Sequence, residues 1–285
     1  MNLTHAIKKR YLAPLILVSA NIFFTGSFSL VKFLSLELPI YTIMLCRFLA
    51  GPVYLGPYFL VTKKPIKITN WPCMWMRIMF GLLAMTCLFL AFKYGQLAKS
   101  VLIFELSVIW TLLYGWWRYG NVPHQYSLMA IPLAFIGVVA VLQPMGIFQF
   151  QIGDVFAFLG SIFNAGVYVT VKNLRQDHST ESIVFISYVI LAVLVLVPNL
   201  TSIPTITGST LIALVIMCTI GFLGQMGMVL GFKFATAGIS SLFMLSIIPL
   251  TAVSGLIIFN EVLNSLAWVG IILVILSLAI VARWQ

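Results

Sequence analysis

The sequence predicts an all-α integral membrane protein whose ten transmembrane helices form two inverted five-helix repeats. Three observations predict it: the composition, the length of the apolar runs, and an internal repeat. Hydrophobic residues make up 62% of the 285 residues and charged residues 8%, against roughly 45–50% and about 25% in soluble domains. A soluble domain of this length has no interior large enough to hide so much apolar surface. The chain therefore belongs in lipid, where apolar side chains can face outward.

Apolar runs of roughly 17–25 residues recur along the chain, each long enough to cross ~30 Å of hydrocarbon as a helix. They span 11–33, 38–61, 72–92, 97–117, 126–144, 154–173, 182–200, 208–230, 236–258 and 266–283. Pro, Gly, Asn or charged residues punctuate the gaps, which are too short to hold a soluble domain. Barrel strands would be nearer ten residues, with alternating polarity. The first run follows Lys8-Lys9-Arg10 and passes Val18-Ser19-Ala20, which imitates a secretory signal with its cleavage site. It continues to Val31, however, and its repeat counterpart is internal, so it reads as a retained helix.

The repeat is visible at an offset of 140 residues. Gly81, Phe92, Lys93 and Ser100 reappear as Gly221, Phe232, Lys233 and Ser240; Gly26, Val31 and Lys32 reappear as Gly166, Val171 and Lys172. The Gly and Lys matches carry weight because charged residues are scarce here. They divide the chain into one half at 1–145 and another at 146–285. Five helices per half is an odd number, so the halves insert upside down relative to each other. Such inverted repeats give secondary transporters two related conformations, open to opposite sides, with a site between the halves.

Orientation follows from Lys and Arg. With the N-terminus in the cytoplasm, the cytoplasmic ends receive Lys8, Lys9, Arg10, Lys63, Lys64, Lys67, Arg77, Arg118, Lys172, Arg175, Lys233 and Arg283. The other side keeps Lys32, Lys93 and Lys99, and Arg47 lies within a helix. This positive-inside bias puts both termini in the cytoplasm and the protein in the cell inner membrane. The net charge of +10 is thus a topology signal and not a nucleic-acid surface. Cys46, Cys73, Cys87 and Cys218 show no disulfide or zinc spacing and read as small packing residues. No cofactor or metal is implied.

Several motifs resemble the drug/metabolite transporter superfamily, in particular its EamA-type branch, over nearly the whole chain. Lys32 and Cys46-Arg47-Phe48-Leu49-Ala50 are similar to that family's recurrent lysine and its arginine-phenylalanine pair. Phe92-Lys93-Tyr94-Gly95 with Ala98 and Ser100 is similar to its helix 3–4 corner. Ile248-Pro249-Leu250, Phe259-Asn260-Glu261 and Trp268-Val269-Gly270 are similar to its helix 9–10 signature. The first half departs from this, with Ile109 and Asn121 where the second has Pro249 and Glu261, and with Glu105 where the second has Leu245. The resemblance implies a ten-helix carrier of small organic solutes such as amino acids or S-adenosylmethionine, moved inward or outward.

Ionisable groups within a membrane are expensive and mark candidate sites. Arg47 and Glu105 each lie about nine residues into a helix from the outer side, about 13 Å deep, and can form a buried ion pair. Glu105 can bind a cationic group or carry a coupling proton; Arg47 can bind a carboxylate, or the two can lock helices 2 and 4 together. Asn21 and Asn164 fall near the middle of the first helix of each half, where a repeat-interface site forms, or they are interhelical glue. Tyr168 shares a helix face with Asn164 and can stack on a ring or fill space. Gln225 stands among Gly221, Gly224, Gly227 and Gly231, which read as close-packing glycines, and can face a cavity. Trp110 is deep enough to line one, whereas Trp116 and Trp117 suit an interfacial belt. Glu261 reads as a helix-start residue.

Three function classes compete. A secondary transporter, coupled to a proton or to an exchanged solute, fits the repeat. ATP drive has no P-loop to support it. A membrane-embedded enzyme needs clustered acids or histidines at one depth, and six acids spread over 285 residues do not provide them. A channel needs a continuous polar stripe, which no helix set carries. The expected partners are a small-molecule substrate and the bilayer, with no nucleic acid.

Overall fold

A computed structural model describes residues 3–119, 151–200, 207–260 and 265–284, with positions 132, 133, 136, 137 and 140 between them. The fifth apolar run, 126–144, and Glu261 lie outside the described residues or largely so. The helices are α1 (Leu3–Leu34), α2 (Ile40–Thr62), α3 (Trp71–Tyr94), α4 (Leu97–Phe104), α5 (Ser107–Tyr119), α6 (Ile152–Asp177), α7 (Thr180–Asn199), α8 (Gly208–Gly231), α9 (Ala237–Met244), α10 (Ile247–Phe259) and α11 (Ser265–Trp284). The described residues contain eight stretches long and apolar enough to cross a membrane. Large apolar side chains such as Leu15, Val53, Leu60 and Ile257 lie exposed on their outer faces, the surface that lipid would cover.

Local sequence explains where these helices start and stop. Asn70 accepts from the Cys73 backbone N–H at 3.1 Å, with Pro72 in the first turn. Ser179 and Thr207 accept from the backbone N–H groups of Ser182 and Thr210. Gln151 and Asp154 form a reciprocal capping box at the start of α6. Each supplies an acceptor to backbone donors that have no intrahelical partner. At the other end, Lys63 and Asn260 terminate α2 and α10 in the left-handed region, with φ of 50° and 52°.

The single fourth and ninth runs expected from the sequence are each two helices. The chain breaks at Glu105-Leu106 between α4 and α5, and 140 residues later at Leu245-Ser246 between α9 and α10. At both breaks the backbone tightens to i→i+3 bonds, such as Leu106 N–H to Ile103 O and Ser246 N–H to Phe243 O. In the second half Pro249 contributes, because it has no N–H to give the carbonyl of Leu245. The first half breaks at the same place with Ile109 there. Uniform hydropathy across such a turn hides it from a reading of apolar run length.

The helices pair across the two halves of the chain. α1 packs mainly on α8, and α3 on α6; α2 packs on α7; α4 and α5 meet α10 and α9. α1 also touches α9 and α10, as α6 touches α4 and α5. Adding 140 turns α1, α3, α4 and α5 into α6, α8, α9 and α10, so these crossed pairings come in corresponding sets.

Small residues set the close approaches. A Cβ on Gly224 would stand 3.1 Å from the Ala20 carbonyl oxygen and 2.9 Å from the Phe24 ring; one on Gly227 would meet Ala20 at 3.0 Å. At the corresponding seam, a Cβ on Gly166 would press on the Phe80 ring at 2.5 Å. Gly224→Leu should force α1 and α8 apart at an overpacking cost of ~1–3 kcal/mol. The expected outcome is a lower monodisperse yield by size-exclusion chromatography in detergent. Gly56→Leu, with nothing within 4 Å of its Cβ position, should leave that yield unchanged.

Candidate functional site

A cavity lies at the seam between the two halves, with about 620 Å³ of empty space including its open part. Its walls are related by the 140-residue offset. Phe24 faces it from α1 and Asn164 from α6; Phe28 and Tyr168 follow one turn on. Phe48 on α2 corresponds to Tyr188 on α7, and Met85 on α3 to Gln225 on α8. The ring pairs repeat as well: Phe28 lies 5.3 Å from Phe92, and Tyr168 lies 5.2 Å from Phe232, by ring centroids. In these four pairs the first-half member is apolar and the second-half member carries a hydroxyl or an amide, whereas two further pairs, Leu88 with Met228 and Phe104 with Met244, are apolar in both halves. The second half thus contributes neutral polar groups, while the charged lining residues, Arg77 and Glu105, come from the first half beside its rings.

Glu105 occupies the turn between α4 and α5 and faces this cavity. It is 4% exposed. Its Oε2 accepts from the Tyr168 hydroxyl at 3.5 Å, a long bond by the usual range. Asn164 Nδ2 donates to Ser107 Oγ at 3.1 Å, which ties α6 to the first turn of α5. Gln225 Nε2 is buried without a hydrogen-bond partner and borders the cavity. Glu105, Asn164, Tyr168 and Gln225 are thus brought together.

The other expected residues stand elsewhere. Arg47 does not pair with Glu105. Its Nη1 donates to Ser27 Oγ at 2.6 Å, and its guanidinium fills the space left by Gly221. Equal depth places two residues on one level but says nothing of direction: Arg47 points to the α1–α8 seam, and Glu105 points to α6. Asn21 lies outside this cavity and holds the second break together. Its Nδ2 donates to Met244 O at 2.9 Å and Ser246 Oγ at 2.8 Å, supplying a donor to a carbonyl at the helix interruption. Trp110 also lies off the cavity, with Nε1 donating to Ser161 Oγ at 3.1 Å and its ring edge-on to Phe158.

Arg77 is the cavity residue that the sequence reading placed elsewhere. Counted among the cytoplasmic basic residues, it is 5% exposed and lines the cavity. Its lone charge within an apolar stretch was the available signal. A further buried pair, Lys99 Nζ to Asp154 Oδ2 at 2.7 Å, joins α4 to the start of α6. No cluster of three or more potential metal ligands occurs among the described residues.

Membrane-length helices packed around a small cavity with apolar, polar and charged lining define a multi-pass membrane protein. Residues 12–143 and 151–283 each match the EamA-like transporter family, and the chain belongs to that family. It is 24% identical to the pseudopaline exporter CntI of Pseudomonas aeruginosa strain UCBPP-PA14, over 94% of this chain and 95% of the relative. The same exporter from strain PAO1 is 23% identical over the same shares. A protein of known crystal structure shares the fold, with a TM-score of 0.76 over 95% of this chain and 98% of that one, at 16% identity.

Asn21→Leu keeps the branched side-chain shape and removes the donor to Met244 O and Ser246 Oγ. It should lower stability by ~1–2 kcal/mol in thermal unfolding of the detergent-solubilised protein.

Proposed function

We propose that the protein is a secondary active transporter of small organic metabolites, amino acids or an amino-acid-derived solute such as S-adenosylmethionine, that works by alternating access in the inner membrane. The observation that carries this reading is the cavity at the seam, whose opposite walls come from residues 140 apart. With the 126–144 run as a fifth helix, each half contributes five helices and the halves insert in opposite directions. The crossed pairing of α1 with α8 and α3 with α6 is what a two-fold relation between such halves requires. Exchange of the two packings then opens the cavity to one side and to the other. The distribution of Lys and Arg supports cytoplasmic termini. The names of the Pseudomonas relatives support outward transport.

In this reading Glu105 is the ionisable group of the transport site. It sits at the turn of an interrupted helix, where carriers commonly place their binding groups. Tyr168, Asn164 and Gln225 supply hydroxyl and amide contacts from the other half. Asn21, Arg47 and Trp110 act through the seam and the helix breaks that shape the cavity. Its repeat mate is the apolar Leu245, so the charge belongs to one half only and gives one site for a cationic group or a proton.

Glu105→Gln preserves shape and hydrogen bonding and removes the charge. The variant should fold, reach the membrane and lose about tenfold or more of concentrative transport, equivalent to ~1.4 kcal/mol or more. Counterflow and pH-gradient-driven uptake, measured side by side in proteoliposomes, separate the two roles of the carboxyl. Survival of counterflow alone marks a proton carrier; loss of both marks a contact to the solute. Wild-type rates in both assays would remove Glu105 from the site.

A further inference from the structure

The cavity contains one cation that the transport reading has not used. Arg77 projects from α3 into it with its side chain nearly wholly buried. Among the described residues it makes no hydrogen bond or ion pair, and its Nε is enclosed without an acceptor. Gly81, one turn along α3, leaves the space that the guanidinium occupies: a Cβ there would stand 2.6 Å from Nη1. The cavity acid, Glu105, bonds Tyr168 and forms no ion pair with Arg77.

A guanidinium held out of water without a counter-charge is costly. The cost is offset when an anion arrives, and the planar fork of Arg matches a carboxylate with two parallel N–H···O bonds. The walls say what accompanies that anion. Phe24, Phe28 and Phe48 present rings on the first-half side, a surface that suits an apolar body more than a second charge.

Resting on the transporter reading, we propose that Arg77 is an anion subsite of the cavity: it takes a carboxylate of the solute, whose apolar body lies against the first-half rings. Glu105 then stands as the opposite pole, available to a cationic group of the same molecule or to a proton. The transported class is a small carboxylate with an aromatic or aliphatic side.

The test uses matched probes on the purified full chain. Thermal unfolding in detergent is followed with phenylalanine, tyrosine, tryptophan, leucine and methionine, each beside its α-carboxamide, with sodium chloride as the inorganic-anion control. At least one acid should raise Tm at millimolar concentration where its carboxamide does not. Arg77→Met should abolish that difference. Arg77→Lys, which keeps the charge and loses the fork, should weaken the acid by about tenfold. Gly81→Ala, which retains Arg77 but displaces its guanidinium, should weaken it in the same direction and keeps the test open if Arg77→Met does not fold. The subsite is overturned if acid and carboxamide stabilise equally, if no acid stabilises, if chloride alone reproduces the shift, or if Arg77→Met retains it.

Counterflow of the stabilising acid in proteoliposomes keeps the two readings apart. Exchange by Arg77→Met at wild-type affinity removes the subsite and leaves the transporter. Binding without exchange by the wild-type protein removes the transporter and leaves the subsite.

Discussion

The constraint on which the structure depends is that each half of the chain packs on the other before it packs on itself. In lipid, apolar burial gives no drive to bring helices together, so association rests on close backbone approach and interhelical hydrogen bonds. The seams show both. Gly224 and Gly227 let α8 lie against Ala20 of α1, and Gly166 admits the Phe80 ring at the α3–α6 seam. Ser27 links Arg47 of α2 to the Met217 carbonyl of α8. Because α1 is committed to α8 and α6 to α3, neither half encloses a site alone. The cavity is the space left where the two seams face each other.

The two helix breaks determine what that cavity can do. A continuous helix hides its backbone polar groups, whereas an interrupted one needs partners for them, and those partners fix polar side chains at mid-depth. In the second half the partner is Asn21, spent on Met244 O and Ser246 Oγ. In the first half Asn164 holds Ser107 and the turn itself carries Glu105. Equivalent interruptions thus have different chemistry, one closed by structural hydrogen bonds and one presenting a carboxyl to the cavity. A similar asymmetry marks part of the walls, where Phe28 corresponds to Tyr168 and Phe48 to Tyr188.

Much of this was legible in the sequence. Run length placed the ends of most described spans to within a few residues, because a membrane span is dictated by bilayer thickness, although α1 begins eight residues before its apolar run and two runs are broken into helix pairs. The offset of 140, read from matches such as Lys32 with Lys172 and Lys93 with Lys233, relates the wall residues only once packing brings them together, and scarcity of charge pointed to Glu105. What stayed hidden depended on direction and not on depth. Arg47 and Glu105 share a level yet face different seams, so the expected ion pair does not form. Arg77 lies seven residues into α3, close enough to the end to count as a topology signal, and only packing shows that it turns inward. The turn at Glu105-Leu106 has no Pro or Gly to mark it, unlike the break that Pro249 accompanies. Gln225 stood among glycines that pack, and its place at the cavity follows from the face those glycines present to α1.

Near opposite ends of α2, hydrogen bonds tie the halves together. Glu37 Oε2 accepts from Thr210 Oγ1 at 2.9 Å, and the Thr69 N–H donates to His178 Nε2 at 3.0 Å. Alternating access requires these two ends to part in turn. Spin labels at positions 36 and 209 report one end and labels at 69 and 176 the other; all four positions are exposed. Pulsed electron paramagnetic resonance distances in proteoliposomes, with and without a transported solute, test the account most directly. It predicts that each pair has a short and a long population and that the solute shifts the two pairs in opposite senses. Two distances that stay fixed, or that lengthen together, would contradict it.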